Sequence, residues 1–178
     1  MKHIREMDLG ELAAFVCSHL MKNGIKCVLT GGACVCIYTN YEIISYDLDF
    51  IEMTIPKSTS VKHTLEKIGF YPHNRYYHNE NTIYFIEFPP GPLAIGSEII
   101  KKANEKIYPT GTLYLLNPTD CVKDRLAAYF YWDDLQSLNQ AIAVAKNNDI
   151  NFLDIEEWSK NENQYEKYIG IKGKLIKK

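Results

Sequence analysis

"LTGGACVCIYTNYEIISYDLDFIE", Leu29 to Glu52, is the stretch whose reading decides the fold. In its last part, "SYDLDFIE", Tyr46, Leu48 and Phe50 alternate with Asp47 and Asp49. Side chains alternate faces along a strand, so both carboxylates point one way and the apolar set points the other. Two like charges on one face repel, which raises the question of what makes the arrangement worth keeping. Just upstream, "IKCVLT" (25–30) reads as a short apolar strand that runs into Gly31-Gly32, and "ACVCIYT" reads as a short helix. A glycine pair at a strand end lets another group approach the backbone closely. If a helix starts there, its free amides can hold a phosphate.

Hard divalent ions such as Mg²⁺ take oxygen ligands and bridge carboxylates to substrate phosphates. Two carboxylates on one strand face near a phosphate-holding turn are what a metal–nucleotide site needs, and the metal relieves their repulsion. Glu87 is the expected third carboxylate. It interrupts the apolar run "IYFIEFPP", where Tyr84, Ile86 and Phe88 share one strand face and Ile83, Phe85 and Glu87 share the other. A neighbouring strand would bring Glu87 beside the aspartate pair.

Around this centre, residues 8–23 have helical spacing, with Asp8 as N-cap and Asn23-Gly24 as the stop. "STSVKHTLEKIGF" (58–70) is predicted helical, capped by Ser58 or Ser60 and turned inward on Val61, Leu65 and Ile68. Tyr76-Tyr77, the polar turn His78–Asn81 and the run Thr82–Phe88 predict a hairpin. "TLYLLNP" is a further strand, and a long helix capped by Thr119 follows, with Val122, Leu126, Tyr129 and Phe130 as its stripe. Trp132-Asp133-Asp134 marks a turn before a helix with the apolar set Leu135, Leu138, Ile142 and Val144. A last helix begins near Asp154, and the basic tail "KYIGIKGKLIKK" is expected to be loosely held. The fold class is therefore α+β, a mixed sheet flanked by helices with a helical C-terminal third. Residues 1–178 are expected to form one domain, helical from about 118.

The chain has 178 residues, 46% of them apolar and 24% charged, which suits one soluble core. A net charge of −2 carries no general electrostatic footprint for nucleic acid. The opening "MKHIREMDLGELAAF" is charged and lacks a long apolar run, so neither a signal peptide nor a membrane span is expected there. Cys17, Cys27, Cys34, Cys36 and Cys121 form no C-x-x-C pair and are read as reduced, buried thiols of a cytoplasmic protein. His73 and His78 are expected to face solvent. Tyr71, Tyr76, Tyr77 and Tyr84 are read as packing and hairpin residues rather than a base-stacking platform, and Trp132 and Trp158 as core.

"LTGG", a short helix and then "DLDF" resemble the nucleotidyltransferase superfamily, the polymerase-beta-like fold, and more narrowly minimal prokaryotic members such as the abortive-infection (AbiEii-type) toxin enzymes. The likeness spans roughly residues 25–145. It implies that Asp47, Asp49 and Glu87 hold Mg²⁺ or Mn²⁺, that Gly31 and Gly32 cradle a nucleoside triphosphate, and that Lys123 and Arg125, in "NPTDCVKDRLAAYFYWDD", meet its charge. The implied activity is transfer of a nucleoside monophosphate to an acceptor hydroxyl on a protein, an RNA end or a small molecule. The toxin likeness adds a phage-defence setting and a cognate antitoxin as partner. The alternative is a non-catalytic interaction or nucleotide-binding module of the same fold. Three departures stand out, one of them a gap from Gly32 to Asp47 that is slightly long for the pattern. Ala33 follows the glycines where many relatives carry Ser or Thr, and Trp132-Asp133-Asp134 stands where an Arg-Asp pair is usual.

Overall fold

The computed structural model describes residues 2–53 and 60–176. A short 3₁₀ turn, Ile4–Glu6, precedes α1 (Leu9–Lys22), β1 (Cys27–Thr30), α2 (Gly31–Tyr38), β2 (Asp47–Glu52) and α3 (Val61–Glu66). Then come the short strands β3 (Tyr71–His73), β4 (Tyr76–His78), β5 (Phe85–Glu87), β6 (Ala94–Ile95) and β7 (Glu98–Ile99), followed by β8 (Asn104–Tyr108) and β9 (Gly111–Leu115). Four helices close the chain: α4 (Pro118–Trp132), α5 (Leu135–Asn147), α6 (Phe152–Asn161) and α7 (Tyr165–Ile176). This is the mixed α+β architecture with a helical C-terminal third.

Seven strands form one sheet in the order β3-β4-β5-β2-β1-β9-β8. β1 runs antiparallel to β2, while β1–β9 and β2–β5 are parallel. The two faces of the sheet differ in what covers them. Cys27 Sγ on β1 lies 3.9 Å from Cys17 Sγ on α1, so α1 covers the face that also carries Leu29, Leu48 and Phe50. All of these are buried. By the same alternation, Asp47, Asp49 and Ile51 of β2 lie on the opposite face.

Capping chemistry explains the helix starts. Asp8 and Glu11 form a reciprocal capping box on α1, and Ser60 caps α3; Ser58 lies outside the described residues. For α4 the cap is Asn117, whose side chain accepts from the Asp120 amide; Thr119, the expected cap, instead accepts from the Asn151 amide. Pro118 at the first helical position explains the shift, because its ring is already set for a helix and it needs no donor.

Three further expectations are corrected, and one strand, β8, was not expected. The tail is a helix, α7, that buries Tyr168, Ile171 and Leu175 against the core. Trp158 is buried, but Trp132 is 76% exposed at the end of α4. Leu135, at the first position of α5, is exposed rather than part of the apolar set. β8 had no apolar signal because "NEKIY" is a charged edge strand, which resists pairing with other chains. All five cysteines are free and buried.

Candidate active site

The site is built where β1 hands over to α2 beside β2. Thr30 pairs in register with Asp49, and its hydroxyl donates to the Asp49 carbonyl at 3.2 Å. With that hydroxyl spent, Thr30 offers α2 no side-chain cap. The helix then opens on Gly31 at φ +67°, a left-handed conformation that favours glycine. A Cβ on Gly31 would run into Asp49 Oδ2, so the Asp49 carboxylate rests against the bare backbone of the first helical residue. A Cβ on Gly32 would sit 3.0 Å from Ser45 Oγ and 4.0 Å from Asp47 Oδ1. Each glycine therefore makes room for one acidic side chain and its surroundings, and the position where any side chain collides is Gly31.

Strand pairing brings Glu87 alongside. β2 and β5 run parallel with Asp49 opposite Glu87 and Asp47 opposite Phe85, so the three carboxylates share one sheet face. Their side chains are engaged differently. Ser45 Oγ donates to Asp47 Oδ1 at 2.6 Å. Glu87 Oε1 is 3.4 Å from Arg75 Nε, on the β3–β4 hairpin. Among the described residues, no three His, Cys, Asp or Glu side chains close on a common ion-binding position. The expected adjacency is met at the level of register; a closed set of three ligands is not formed.

Electrostatics single out Asp49. Burial, and then the charges of Asp47 and Glu87, push its carboxyl up to about 7; Arg125 pulls it down and Asp124 adds to the push. Burial is the larger cause of that rise; the neighbouring carboxylates add to it, and Arg125 offsets only part. A groove of about 320 Å³ opens beside it, with Gly31, Asp49, Pro90, Asp124 and Arg125 in its lining. Arg125 thus lines the same groove as the glycine turn. Its Nε and Nη2 nitrogens donate to Asp124 Oδ2 at 3.0 and 2.5 Å. Burial works to discharge the guanidinium, and Asp124 more than offsets it.

Lys123 is elsewhere. Its side chain is 1% exposed, and Nζ donates to Glu98 Oε2 at 2.9 Å and lies 2.8 Å from Asp154 Oδ2, with Asp120 Oδ1 at 4.0 Å. Burial works to lower its pKa, and the hydrogen bonds to Asp154 and Glu98 overcome that and hold the ammonium charged. It ties α4 to β7 and α6 and does not line the groove, which corrects the expectation that it faces a nucleotide. Half a turn of helix explains the difference: Lys123 and Arg125 lie about 200° apart around α4, so only one of them can face the groove.

Ser45 and Arg75 were not anticipated, whereas the pairing of Arg125 with its neighbour Asp124 is a local one that the sequence offers. Ser45 was findable, since it stands two residues before Asp47 and so on the same strand face. Arg75 gave no signal, because its pairing with Glu87 depends on how the β3–β4 hairpin folds back on β5.

No protein-family model matches this sequence, and no curated protein matches it with significance. Among solved structures, the fold is similar to the crystal structure of an antigenic nucleotidyltransferase-like protein from Paracoccidioides brasiliensis. The TM-score is 0.65 at 12% sequence identity, over 94% of this chain and 91% of that one. No helix among the described residues is long and apolar enough to cross a membrane. Over nearly its whole length, then, the chain has the fold of a nucleotidyltransferase-like protein.

Proposed function

We propose that this protein is a nucleotidyltransferase that moves a nucleoside monophosphate from a nucleoside triphosphate to an acceptor hydroxyl. The observation that carries the reading is the Asp49 carboxylate seated on Gly31 at the uncapped start of α2, with Asp47 and Glu87 on the same face. The donor set fits a hard divalent cation: Asp47 and Asp49 offer carboxylate oxygens from alternate strand positions, and Asp47 and Glu87 add to the upward push that burial gives Asp49. Mg²⁺ or Mn²⁺ held by that pair would neutralise phosphate charge. The backbone amides of Gly31 and Gly32 bind phosphate oxygens, and Arg125 supplies positive charge in the same groove. The acceptor hydroxyl approaches from the β5 side, where Glu87 or Asp49 takes its proton. A place in a toxin–antitoxin pair rests on the Gly-Gly start alone, since Lys123, the helical lysine of the abortive-infection likeness, is tied up with Glu98 and Asp154.

A second reading, a non-catalytic nucleotide-binding module, is favoured by the Arg75–Glu87 pair, which engages one oxygen of the third carboxylate. Incubation with each radiolabelled nucleoside triphosphate and Mg²⁺ or Mn²⁺ separates the two. Pyrophosphate release that is lost in Asp49→Asn supports transfer. Triphosphate binding without release, in wild type and in Arg75→Ala alike, supports the module.

A further inference from the structure

We propose that the sheet face beside the carboxylates is a stacking platform for the single-stranded end of a nucleic-acid acceptor; this rests on the transfer reading above. Register defines the face. Phe85 lies opposite Asp47 and Tyr76 opposite Glu87, and His78 and His73 follow at alternate positions on β4 and β3. The rings touch in sequence. Tyr76 and Phe85 centroids are 4.7 Å apart, His78 stacks on Phe85 at 5.6 Å, and His73 meets His78 edge-on at 5.5 Å. The same strands already satisfy the core through their other face, where Ile86 is fully buried. His73 and His78 remain exposed. A sheet face with one aromatic row, open and adjoining the reactive centre, presents π-surfaces on which unpaired bases stack.

Three features point to an acceptor strand rather than to the base of the incoming nucleotide. The row crosses β5, β4 and β3, roughly 10 Å at about 4.8 Å per strand step, which is longer than one base. It lies on the β5 side of the aspartates, whereas Gly31 follows β1 on their other side. At its outer end it reaches a groove of about 430 Å³ lined by His73, His78 and Asn81 among others. Arg75 adds charge: its guanidinium lies 4.8 Å over the Tyr76 ring while pairing with Glu87, a position from which it can turn to a phosphate.

The test is fluorescence anisotropy of a short labelled single-stranded RNA, with its duplex as competitor, beside calorimetry of a nucleoside triphosphate with Mg²⁺. The exposed rings allow variants that leave the core intact. His73→Ala and His78→Ala should each weaken single-strand binding by about 5- to 150-fold, and His78→Tyr should restore it, since it returns an aromatic surface. Both alanine variants should bind the triphosphate as wild type does. Wild type that prefers the duplex, or His78→Ala that binds RNA at full strength, overturns the platform while leaving the transfer reading standing. Loss of triphosphate binding in the alanine variants also overturns it, by assigning the rings to the nucleotide. RNA binding that depends on the rings in a protein without triphosphate binding overturns the transfer reading and strips the face of its acceptor role.

Discussion

Replacing Asp49 by Asn should make the metal-free protein more stable at high pH. The Asp49 carboxyl stands at about 7 in the folded chain against an ordinary 3.8. Between those values the unfolded chain has lost the proton that the folded chain retains, so stability falls as pH rises through the window and stays low above it. At about 1.4 kcal/mol per unit, the gap caps the effect at about 4 kcal/mol. Asn keeps the shape against Gly31 and carries no charge, so its relief at pH 8 should be about 2–4 kcal/mol, shrinking toward zero near pH 4. Urea denaturation of both proteins in the presence of a chelator, from pH 4 to 8, measures the difference directly. Adding Mg²⁺ at pH 8 should then stabilise wild type far more than Asp49→Asn. Parallel pH profiles for the two proteins, or a variant less stable than wild type at pH 8, would refute the claim that folding raises the Asp49 carboxyl well above its ordinary range.

Other substitutions probe the remaining parts. Gly31→Ala should cost about 1–2 kcal/mol for the left-handed backbone alone, add the collision with Asp49, and abolish triphosphate binding by calorimetry. Lys123→Ala should destabilise the fold by about 2–3 kcal/mol, since it strands Asp120 among partly exposed acids, yet a folded variant should bind the triphosphate at full strength. Arg125→Ala should do the reverse, weakening triphosphate binding by about 1–2 kcal/mol with a smaller change in melting temperature. Leu175→Ala should cost about 2–4 kcal/mol in chemical denaturation, because α7 is part of the core; a loosely held tail would show no change.

Much of this was legible in the chain. Strict alternation in "DLDF" placed both aspartates on one strand face, and the run "IYFIEFPP" placed Glu87 on one face of its own strand; that this face adjoins the aspartates follows only from the β2–β5 pairing. The helix over residues 9–22 followed from its period and its cap. The alternation and the helical period are consequences of backbone geometry, which repeats every two or 3.6 residues and needs no distant partner. The partners of the charged groups were not legible. Whether Lys123 or Arg125 faced the groove depended on how α4 is rotated against the sheet, and the acids that took Lys123 come from β7 and α6. Arg75 met Glu87 because a hairpin folded back across β5. The aromatic row exists only because three short strands align in register, and no local pattern links His73 to Phe85. Local sequence sets which way a side chain points within its own element; which groups share that space, and so which charges are neutralised, is settled by tertiary packing.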